Sequence, residues 1–340
     1  MTESLESIAN ALVAPGKGIL AADESFPTIA KRFASIGVES SEELRRSYRG
    51  MLFMADGASE FISGVIMFDE TVSQKTDAGE TYPEALKELG IITGIKVDTG
   101  AKALAGHAGE KVTEGLDGLR DRLAAYYDKG ARFAKWRAVI TIGDGIPSNA
   151  CVRANAHALA RYAALCQEAN IVPMVEPEVL MDGDHDIDRC DAVTSWALQE
   201  VFTALREQGV ALEGMLLKPN MVISGKGDAN RADVQTVAAR TVACLRRNVP
   251  AAVPGIVFLS GGQSDVEATA HLDAMNKLGA EQGGLPWQLS FSYGRALQAA
   301  ALKAWGGKAD NYAAGQAAFL ERAKANSAAR NGRWDTSFEG

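Results

Sequence analysis

Short runs of apolar residues recur along the chain, separated by longer stretches in which apolar positions repeat at helical spacing. Eight of these runs have the length of a buried strand, and they lie at residues 18–24, 64–70, 92–98, 133–140, 171–179, 214–220, 255–262 and 289–294. The helical patterns include residues 115–130, 155–170, 190–209 and 233–248. Strands that are apolar throughout are typical of parallel sheets covered on both faces. The pattern therefore predicts an α/β protein.

Eight strands alternating with helices is the count of a (β/α)8 TIM barrel. A doubly wound sheet is the alternative, but the dinucleotide-binding fingerprint GxGxxG does not follow any of the strands. No linker or low-complexity segment divides the chain. We therefore predict a single-domain barrel over residues 1–340, with an extra helix before the first strand and a C-terminal helix and tail over residues 310–340.

Composition and charge limit the class of protein and its partners. With 47% hydrophobic and 23% charged residues, the chain is typical of a soluble globular protein with a sizeable core. The formal net charge of -8 argues against binding to nucleic acid or acidic membranes. No apolar stretch reaches the length of a membrane span, and the N-terminus MTESLESIAN does not resemble a signal peptide. The four cysteines form no CxxC pair and have no zinc-site spacing, so we expect a reduced, cytoplasmic protein.

Charged residues gather at the ends of the predicted strands, where a TIM barrel has its active site. Alternate strand residues face opposite sides, so Lys135 and Arg137 share one face and Glu176 and Glu178 share another, while Trp136 faces the helices. Seven charges at five strand ends are placed to converge, namely Asp23, Lys96, Lys135, Arg137, Glu176, Glu178 and Lys218. An interior ion-pair network without chemistry is the alternative. Buried ion pairs stabilise a fold less than apolar packing does, so we favour a functional cluster.

The last two strands end in segments suited to an anion. LSGGQS (259–264) and SYGRAL (292–297) combine serine and glycine with a helix start, and they contribute Ser260, Gly261, Gly262, Ser292, Gly294 and Arg295. Glycine lets backbone N–H groups approach a phosphate, and barrels frequently bind phosphate in these loops, although glycines here are also ordinary turn residues. With five cations and three carboxylates, the predicted mouth is net positive and suits a small substrate with phosphates at both ends. Residues near Ser25 are candidates for the second phosphate.

A lysine between apolar residues and near other cations is a candidate nucleophile. Lys218 ends the apolar run GMLLKPNM (214–221), and an unpaired buried charge is costly. Such surroundings favour the neutral amine, which adds to a ketone and forms a Schiff base. Nearby carboxylates are the natural general acids and bases. These arguments leave Lys96, Lys135 and Lys218 open as the nucleophile and favour Lys218.

Nine strings along nearly the whole chain carry a family resemblance, namely GILAADES, GIKVD, FAKWR, IVPMVEPE, GDHD, LLKPNM, LSGGQS, SYGRALQ and ALKAWGG. In this order they resemble class I (Schiff-base) fructose-bisphosphate aldolase. The resemblance implies reversible, metal-independent cleavage of fructose 1,6-bisphosphate to dihydroxyacetone phosphate and glyceraldehyde 3-phosphate, in glycolysis and gluconeogenesis. It also implies a homotetramer and no cofactor.

The resemblance also implies roles for the matched residues. Lys218 would form the Schiff base, Glu176 would be the main general acid/base, and Asp23 would orient or deprotonate the hydroxyl at the cleaved bond. Lys135, Arg137 and Lys96 would bind and polarise substrate, and Glu178 would support the lysine site. One phosphate would be held by Ser260, Gly261, Gly262, Ser292, Gly294 and Arg295, and Ser25 would lie toward the other.

Two departures from the family pattern stand out. Animal members end in a tyrosine on a mobile tail, whereas this chain ends RWDTSFEG. The string ADESFPTIA carries Phe26, Pro27 and Thr28 where many members have small residues and serine. Three alternatives fit less well. A metal-dependent aldolase needs clustered ligands, but the four histidines are scattered; a transaldolase-like enzyme lacks these strings; and a non-catalytic scaffold would have lost one of the matched charges.

Overall fold

The computed structural model describes residues 3–339. Ten strands are present: β1 (Gly18–Ala22), β2 (Ile62–Met67), β3 (Ile92–Lys96), β4 (Gly100–Ala103), β5 (Lys111–Glu114), β6 (Phe133–Ile140), β7 (Val172–Val179), β8 (Leu216–Leu217), β9 (Gly255–Phe258) and β10 (Gln288–Tyr293). Eight of them pair in parallel and close into a barrel in the order β1-β10-β9-β8-β7-β6-β3-β2. The predicted (β/α)8 barrel is confirmed.

The α-helices surround this barrel, and further helices lie near the two ends of the chain. They are α1 (Leu5–Leu12), α2 (Phe26–Ala34), α3 (Glu42–Phe53), α4 (Tyr82–Glu88), α5 (Leu119–Asp128), α6 (Asn149–Glu168), α7 (Ile187–Glu207), α8 (Val234–Asn248), α9 (Asp265–Glu281), α10 (Arg295–Trp305) and α11 (Tyr312–Arg330). The predicted extra helices at both ends correspond to α1 and α11. Among residues 3–339, no helix has the length and apolarity that crossing a bilayer requires.

Alternation along the strands separates two apolar cores. Ile19, Phe133 and Leu216 belong to a cluster inside the barrel that also includes Leu12 of α1, so α1 covers the amino-terminal end of the barrel. The alternate positions face the helices; Trp136, for example, stacks on Tyr162 of α6 with ring centroids 5.6 Å apart. The predicted facing of β6 is therefore confirmed.

Two glycines make room for the inner core. A Cβ atom on Gly94 would lie 2.3 Å from the ring of Phe133, and a Cβ atom on Gly64 would lie 2.7 Å from Leu12. Heavy atoms do not approach this closely, so only glycine lets the large side chains fill the barrel at these levels.

Two helices, α6 and α7, begin earlier than the apolar periodicity indicates. α6 begins at Asn149 because the hydroxyl of Ser148 accepts a hydrogen bond from the N–H of Cys151, and α7 begins after Asp186, whose carboxylate accepts from the N–H of Arg189. These caps fix the first turn before the buried stripe starts. The antiparallel hairpin β4–β5 was not predicted, because its strands are short and largely polar.

Candidate active site

A cavity of about 940 Å³ opens at the carboxyl ends of the barrel strands. The fourteen residues that the sequence predicts for the site all line it: Asp23, Ser25, Lys96, Lys135, Arg137, Glu176, Glu178, Lys218, Ser260, Gly261, Gly262, Ser292, Gly294 and Arg295. Parallel strands place their carboxyl ends at the same end of a barrel, so residues far apart in the chain meet here.

Two lysines and two carboxylates are in contact inside this cavity. Lys135 Nζ lies 2.7 Å from Asp23 Oδ2 and 3.4 Å from Glu176 Oε2. Lys218 Nζ lies 3.2 Å from Glu176 Oε1. Lys135 and Lys218 are each 4% exposed, and Glu176 is 3% exposed. Glu176 therefore connects the two lysines through its two oxygens.

Strand pairing explains this arrangement. β6 and β7 run side by side in parallel over their whole length, with Arg137 opposite Glu176. Lys218 directly follows the two-residue strand β8, and its backbone N–H donates to the carbonyl of Val175 at 2.8 Å. That bond continues the ladder by one residue and holds Lys218 beside β7, which explains why a lysine stands at the end of an apolar run.

The charge states of Asp23 and Lys135 follow from their contact. Burial by itself raises the pKa of Asp23, but the neighbouring lysines, Lys135 above all, lower it by a larger amount, and the pKa is about 2. Burial by itself lowers the pKa of Lys135, but Asp23 and Glu176 raise it well above the usual lysine value. Asp23 is therefore a carboxylate and Lys135 an ammonium ion at neutral pH.

Further ion pairs flank this group. Lys96 Nζ lies 2.7 Å from Asp98 Oδ1 and also donates to the Asp98 carbonyl at 2.6 Å. The guanidinium of Arg137 pairs with Glu178, which raises the pKa of Arg137 against the opposing effect of burial. A Cβ atom on Gly261 would lie 3.0 Å from Glu178 Oε1, so glycine brings the loop after β9 close to this pair. Glu178 therefore contacts Arg137 and lines the same cavity as Lys218.

The carboxyl ends of β9 and β10 and the segments after them bring an arginine and two buried hydroxyls to the same cavity. Ser260 is 7% exposed and Ser292 is 1% exposed. Arg295 is the first residue of α10, directly after the capping residue Gly294, and its Nη2 donates to the backbone carbonyl of Gln263 at 3.0 Å. Its guanidinium makes no ion pair with any residue between 3 and 339. A guanidinium, two hydroxyls and a helix N-terminus together can hold a phosphate.

The other side of the mouth is formed by the start of α2. Ser25 immediately precedes α2, and its hydroxyl lies 3.1 Å from the hydroxyl of Thr28 and does not cap the helix. Phe26 is 48% exposed and packs edge-on against Phe68, with ring centroids 5.1 Å apart. Pro27 lies in the first turn of α2 and has no backbone N–H to donate. This segment therefore offers a ligand the hydroxyl groups of Ser25 and Thr28 rather than a continuous run of N–H groups.

The lining contains more charge than the sequence predicted. It carries eight cationic side chains and seven carboxylates, so the expected excess of positive charge amounts to a single charge. The predicted set omitted Glu24, Arg32, Asp69, Asp98, Arg122, Asp182 and Lys226. Glu24 and Asp98 are the last residues of the apolar runs of the first and third strands. Their positions at strand ends could therefore have indicated that they line the cavity. Arg122 lies within α5 and reaches the mouth by donating to the carbonyls of Val97 and Gly115, and no strand pattern indicates it.

Histidine and cysteine do not contribute to this group. Over residues 3–339, no three His, Cys, Asp or Glu side chains are arranged to hold a metal ion. All four cysteines are free and buried. The DGDHD run (182–186) lies in the loop after β7, where the backbone of Gly183 pairs with that of Gly227.

Comparison with known proteins gives a consistent result over the whole length. The sequence model of the family described as "Fructose-bisphosphate aldolase class-I" matches residues 4–340. The probable fructose-bisphosphate aldolase class 1 of Xanthomonas campestris is 60% identical over 333 residues, which are 98% of this chain and 98% of that protein. Cytosolic fructose-bisphosphate aldolase 4 of Arabidopsis thaliana is 55% identical over 96% of this chain and 83% of that protein.

A solved structure agrees with these sequence matches. The fructose-bisphosphate aldolase of Plasmodium falciparum, solved in complex with TRAP and a small-molecule inhibitor, superposes with a TM-score of 0.95. The two chains are 50% identical, and the match covers 97% of this chain and 95% of the Plasmodium chain. The chain belongs to the class I fructose-bisphosphate aldolase family.

Proposed function

We propose that Lys218 carries the Schiff base through which this class I aldolase cleaves fructose 1,6-bisphosphate reversibly to dihydroxyacetone phosphate and glyceraldehyde 3-phosphate. The observation that supports this choice is the contact of Lys218 Nζ with Glu176 at 3.2 Å, inside a buried group that also holds Lys135 and Asp23. The reaction serves glycolysis, and because it is reversible we extend the proposal to gluconeogenesis.

The three candidate lysines differ in their partners. Lys135 contacts two carboxylates and is held as an ammonium ion. Lys96 contacts both the side chain and the carbonyl of Asp98. Lys218 contacts only Glu176 among the described carboxylates. A nucleophilic amine must be free to leave its partners and reach the substrate, and within residues 3–339 Lys218 makes one polar contact where Lys135 and Lys96 each make two.

In the first stage, Lys218 Nζ attacks the C2 ketone of the substrate. The N–C2 bond forms, the ketone oxygen is protonated, and water leaves to give a protonated imine. Glu176 is within reach of the amine that loses protons, so we assign it the proton transfers of this stage. Lys135 lies on the other side of Glu176 and polarises the oxygen that leaves.

In the second stage, the C3–C4 bond breaks. The C4 hydroxyl loses its proton, the aldehyde forms, and the electron pair of the broken bond moves into the imine to give an enamine. We assign Asp23 to the C4 hydroxyl, which it orients or deprotonates. Its pKa of about 2 in the free protein makes it a weak base before the imine forms, so orientation precedes proton transfer. Protonation of the enamine at C3 and hydrolysis of the imine then release dihydroxyacetone phosphate and restore Lys218.

The two phosphates fix the substrate across the mouth. We assign one to Ser260, Gly261, Gly262, Ser292, Gly294 and Arg295. The other is assigned to the side of Ser25, in the cavity that Lys96 and Arg137 also line, while Glu178 holds Arg137 in place through their ion pair.

The experiment that tests this proposal traps the imine. Borohydride added with dihydroxyacetone phosphate reduces the imine to a stable amine, and peptide mass spectrometry is expected to locate the adduct on Lys218. Lys218→Met should show neither adduct nor cleavage, whereas Lys96→Met and Lys135→Met should form some adduct but turn over poorly. Lys102→Met, on the exposed hairpin, is the matched control and should behave as the native protein. An adduct on Lys96 or Lys135 in the native protein would show that Lys218 is the wrong choice of nucleophile.

Four further features belong to the same proposal. We propose that the 340 residues act as one barrel domain, in the cytoplasm, as a homotetramer and without an added cofactor. The free, buried cysteines suit a reducing compartment. Light scattering during size-exclusion chromatography should give about four times the chain mass of 36.0 kDa.

A further inference from the structure

The loop that carries Ser260 and Gly261 is held from behind by a buried pair of polar side chains. Gln263 follows this loop and His271 lies two turns into α9; they are 3% and 4% exposed. Gln263 Oε1 and His271 Nδ1 are 2.6 Å apart. Because an amide oxygen only accepts, Nδ1 carries the proton and donates to Gln263. The amide Nε2 of Gln263 has no hydrogen-bond partner in the described part of the chain, so this bond is the one polar restraint on the buried amide.

The backbone of Gln263 contacts the phosphate-binding segments on both sides. Its N–H donates to the carbonyl of Ser260 at 3.3 Å, which closes the turn that contains Gly261 and Gly262. Its carbonyl accepts from Arg295 Nη2 at 3.0 Å. One residue therefore fixes the serine end of the loop and the arginine that begins α10.

The start of α9 gives this arrangement a rigid base. Ser264, directly after Gln263, forms a capping box with Glu267: the Ser264 N–H donates to Glu267 Oε2 at 2.7 Å, and Ser264 Oγ accepts from the Glu267 N–H at 3.2 Å. His271 lies on the same helix and is held neutral, because burial lowers its pKa to about 4. The imidazole is thus a fixed donor rather than a charge that would compete with Arg295 for an anion.

We propose that the Gln263–His271 pair positions Arg295 and the Ser260 loop for the substrate phosphate, so that both residues are positioning residues for the reaction. This rests on the proposed function, in which Arg295 and Ser260 hold that phosphate. Without the pair, the Gln263 backbone is no longer held in place. Binding of the phosphate then has to order the Ser260 loop and Arg295, and this ordering lowers the affinity for the phosphate. Neither side chain lines the cavity, so the imine chemistry at Lys218 is left intact.

The test separates binding from chemistry. KM for fructose 1,6-bisphosphate, kcat, and the inhibition constant of inorganic phosphate are measured for His271→Ala and for Gln263→Met, which keeps most of the side-chain volume and loses the amide. We expect KM and the phosphate inhibition constant to rise together by about tenfold, the factor that one ordinary hydrogen bond corresponds to. The value of kcat should change by no more than about twofold. Arg295→Ala should give the largest rise in KM and in the phosphate inhibition constant, because it removes the proposed anion contact itself.

Two controls make the result specific. His271→Asn places an amide donor near the position of Nδ1 and should restore most of the phosphate affinity. Ala274→Gly loosens the same helix without touching the loop and should lower stability with KM unchanged. If either His271→Ala or Gln263→Met folds and binds phosphate as the native protein does, or if kcat falls while KM stays constant, the pair does not position this site. Borohydride trapping on Lys218 is run on the same samples, so that a failure of the proposed function, seen as no adduct in the native protein, is distinguished from a failure of this inference.

Discussion

Asp23 illustrates how one contact determines both charge and stability. The carboxylate lies 2.7 Å from Lys135, and the pKa of Asp23 is about 2 against an ordinary value of 3.8. A lowered pKa means that the folded state favours the carboxylate more than the unfolded state does. The resulting stabilisation is present above the ordinary pKa and is lost as the pH falls through the folded value, so the window lies between about pH 4 and pH 2.

From this we predict that the stability advantage of the native protein over Asp23→Asn depends on pH. The difference in the free energy of unfolding should be about 2 kcal/mol at pH 6 and should shrink toward zero near pH 2. Denaturant titrations at several pH values measure it. Asp56→Asn, an exposed carboxylate without an ion pair in the described structure, is the control and should give a small difference at every pH. A difference that stays constant from pH 6 to pH 2 would show that Lys135 does not hold Asp23 ionised.

Individual residues show where sequence reasoning reaches its limit. The position at strand ends brought Lys135, Glu176 and Lys218 to one cavity, and strand parity added the inward direction of Lys135 and Glu176, because side-chain direction alternates along a strand. The same reasoning did not distinguish among the lysines, since their difference lies in the polar contacts that each one makes with the described residues: two carboxylates for Lys135, the carboxylate and carbonyl of Asp98 for Lys96, and Glu176 alone for Lys218. Those contacts depend on the stagger between neighbouring strands, which no single strand encodes.

At the scale of elements, the buried strands were predictable and the polar ones were not. Strands of the barrel are apolar on both faces and stand out in the chain. The hairpin β4–β5 has no such run, and it is held instead by contacts with its neighbours; the hydroxyl of Thr113, for example, donates to the carbonyl of Arg137 at 2.7 Å. The starts of α6 and α7 were placed late for the same reason, because their capping residues, Ser148 and Asp186, are polar.

The C-terminal tail over residues 334–339 is an element held by side-chain contacts. It packs against α9 and α11. Glu339 forms an ion pair with Arg322 at 2.5 Å and accepts from Trp334 Nε1 at 2.9 Å, while the Trp334 N–H donates to Asp273 at 3.0 Å. Arg322 is 7% exposed, so the tail carboxylate neutralises a largely buried cation. These contacts hold the tail against the body of the protein, so we assign the tail a structural role.

We therefore predict that Glu339→Gln lowers the free energy of unfolding by about 1–3 kcal/mol, the range for a hydrogen bond to a charged group that is left unpaired. The value of kcat should stay within about twofold of the native value, because no residue from 334 to 339 lines the active-site cavity. Thermal unfolding and steady-state cleavage measure the two effects. Asp335→Asn, whose carboxylate contacts only Ser337, is the matched control. A large loss of kcat with native stability would place the tail in the chemistry.

Over the whole molecule, charge is arranged locally rather than globally. The protein carries a formal net charge of -8, and the mouth is close to balanced, with eight cations and seven carboxylates. The sequence predicted a clearly positive mouth because it counted the charges of a few strand ends and missed the carboxylates that pair with them. Affinity for a bisphosphate then depends on which cations lack a carboxylate partner, and Arg295 is one of these within residues 3–339.

The last prediction concerns the electron sink of the whole reaction. Cleavage of the C3–C4 bond leaves an electron pair that needs a positive centre, which is either a divalent ion at the ketone oxygen or a protonated imine at C2. In a class I aldolase the imine supplies that charge, so prolonged dialysis against EDTA should leave kcat and KM unchanged within about twofold. Lys218→Met is the companion variant, and it should be inactive both before and after dialysis and should gain nothing from added zinc. If chelation abolishes cleavage in the native protein and zinc restores it, the carbanion is stabilised by a metal ion, and Lys218 has another task.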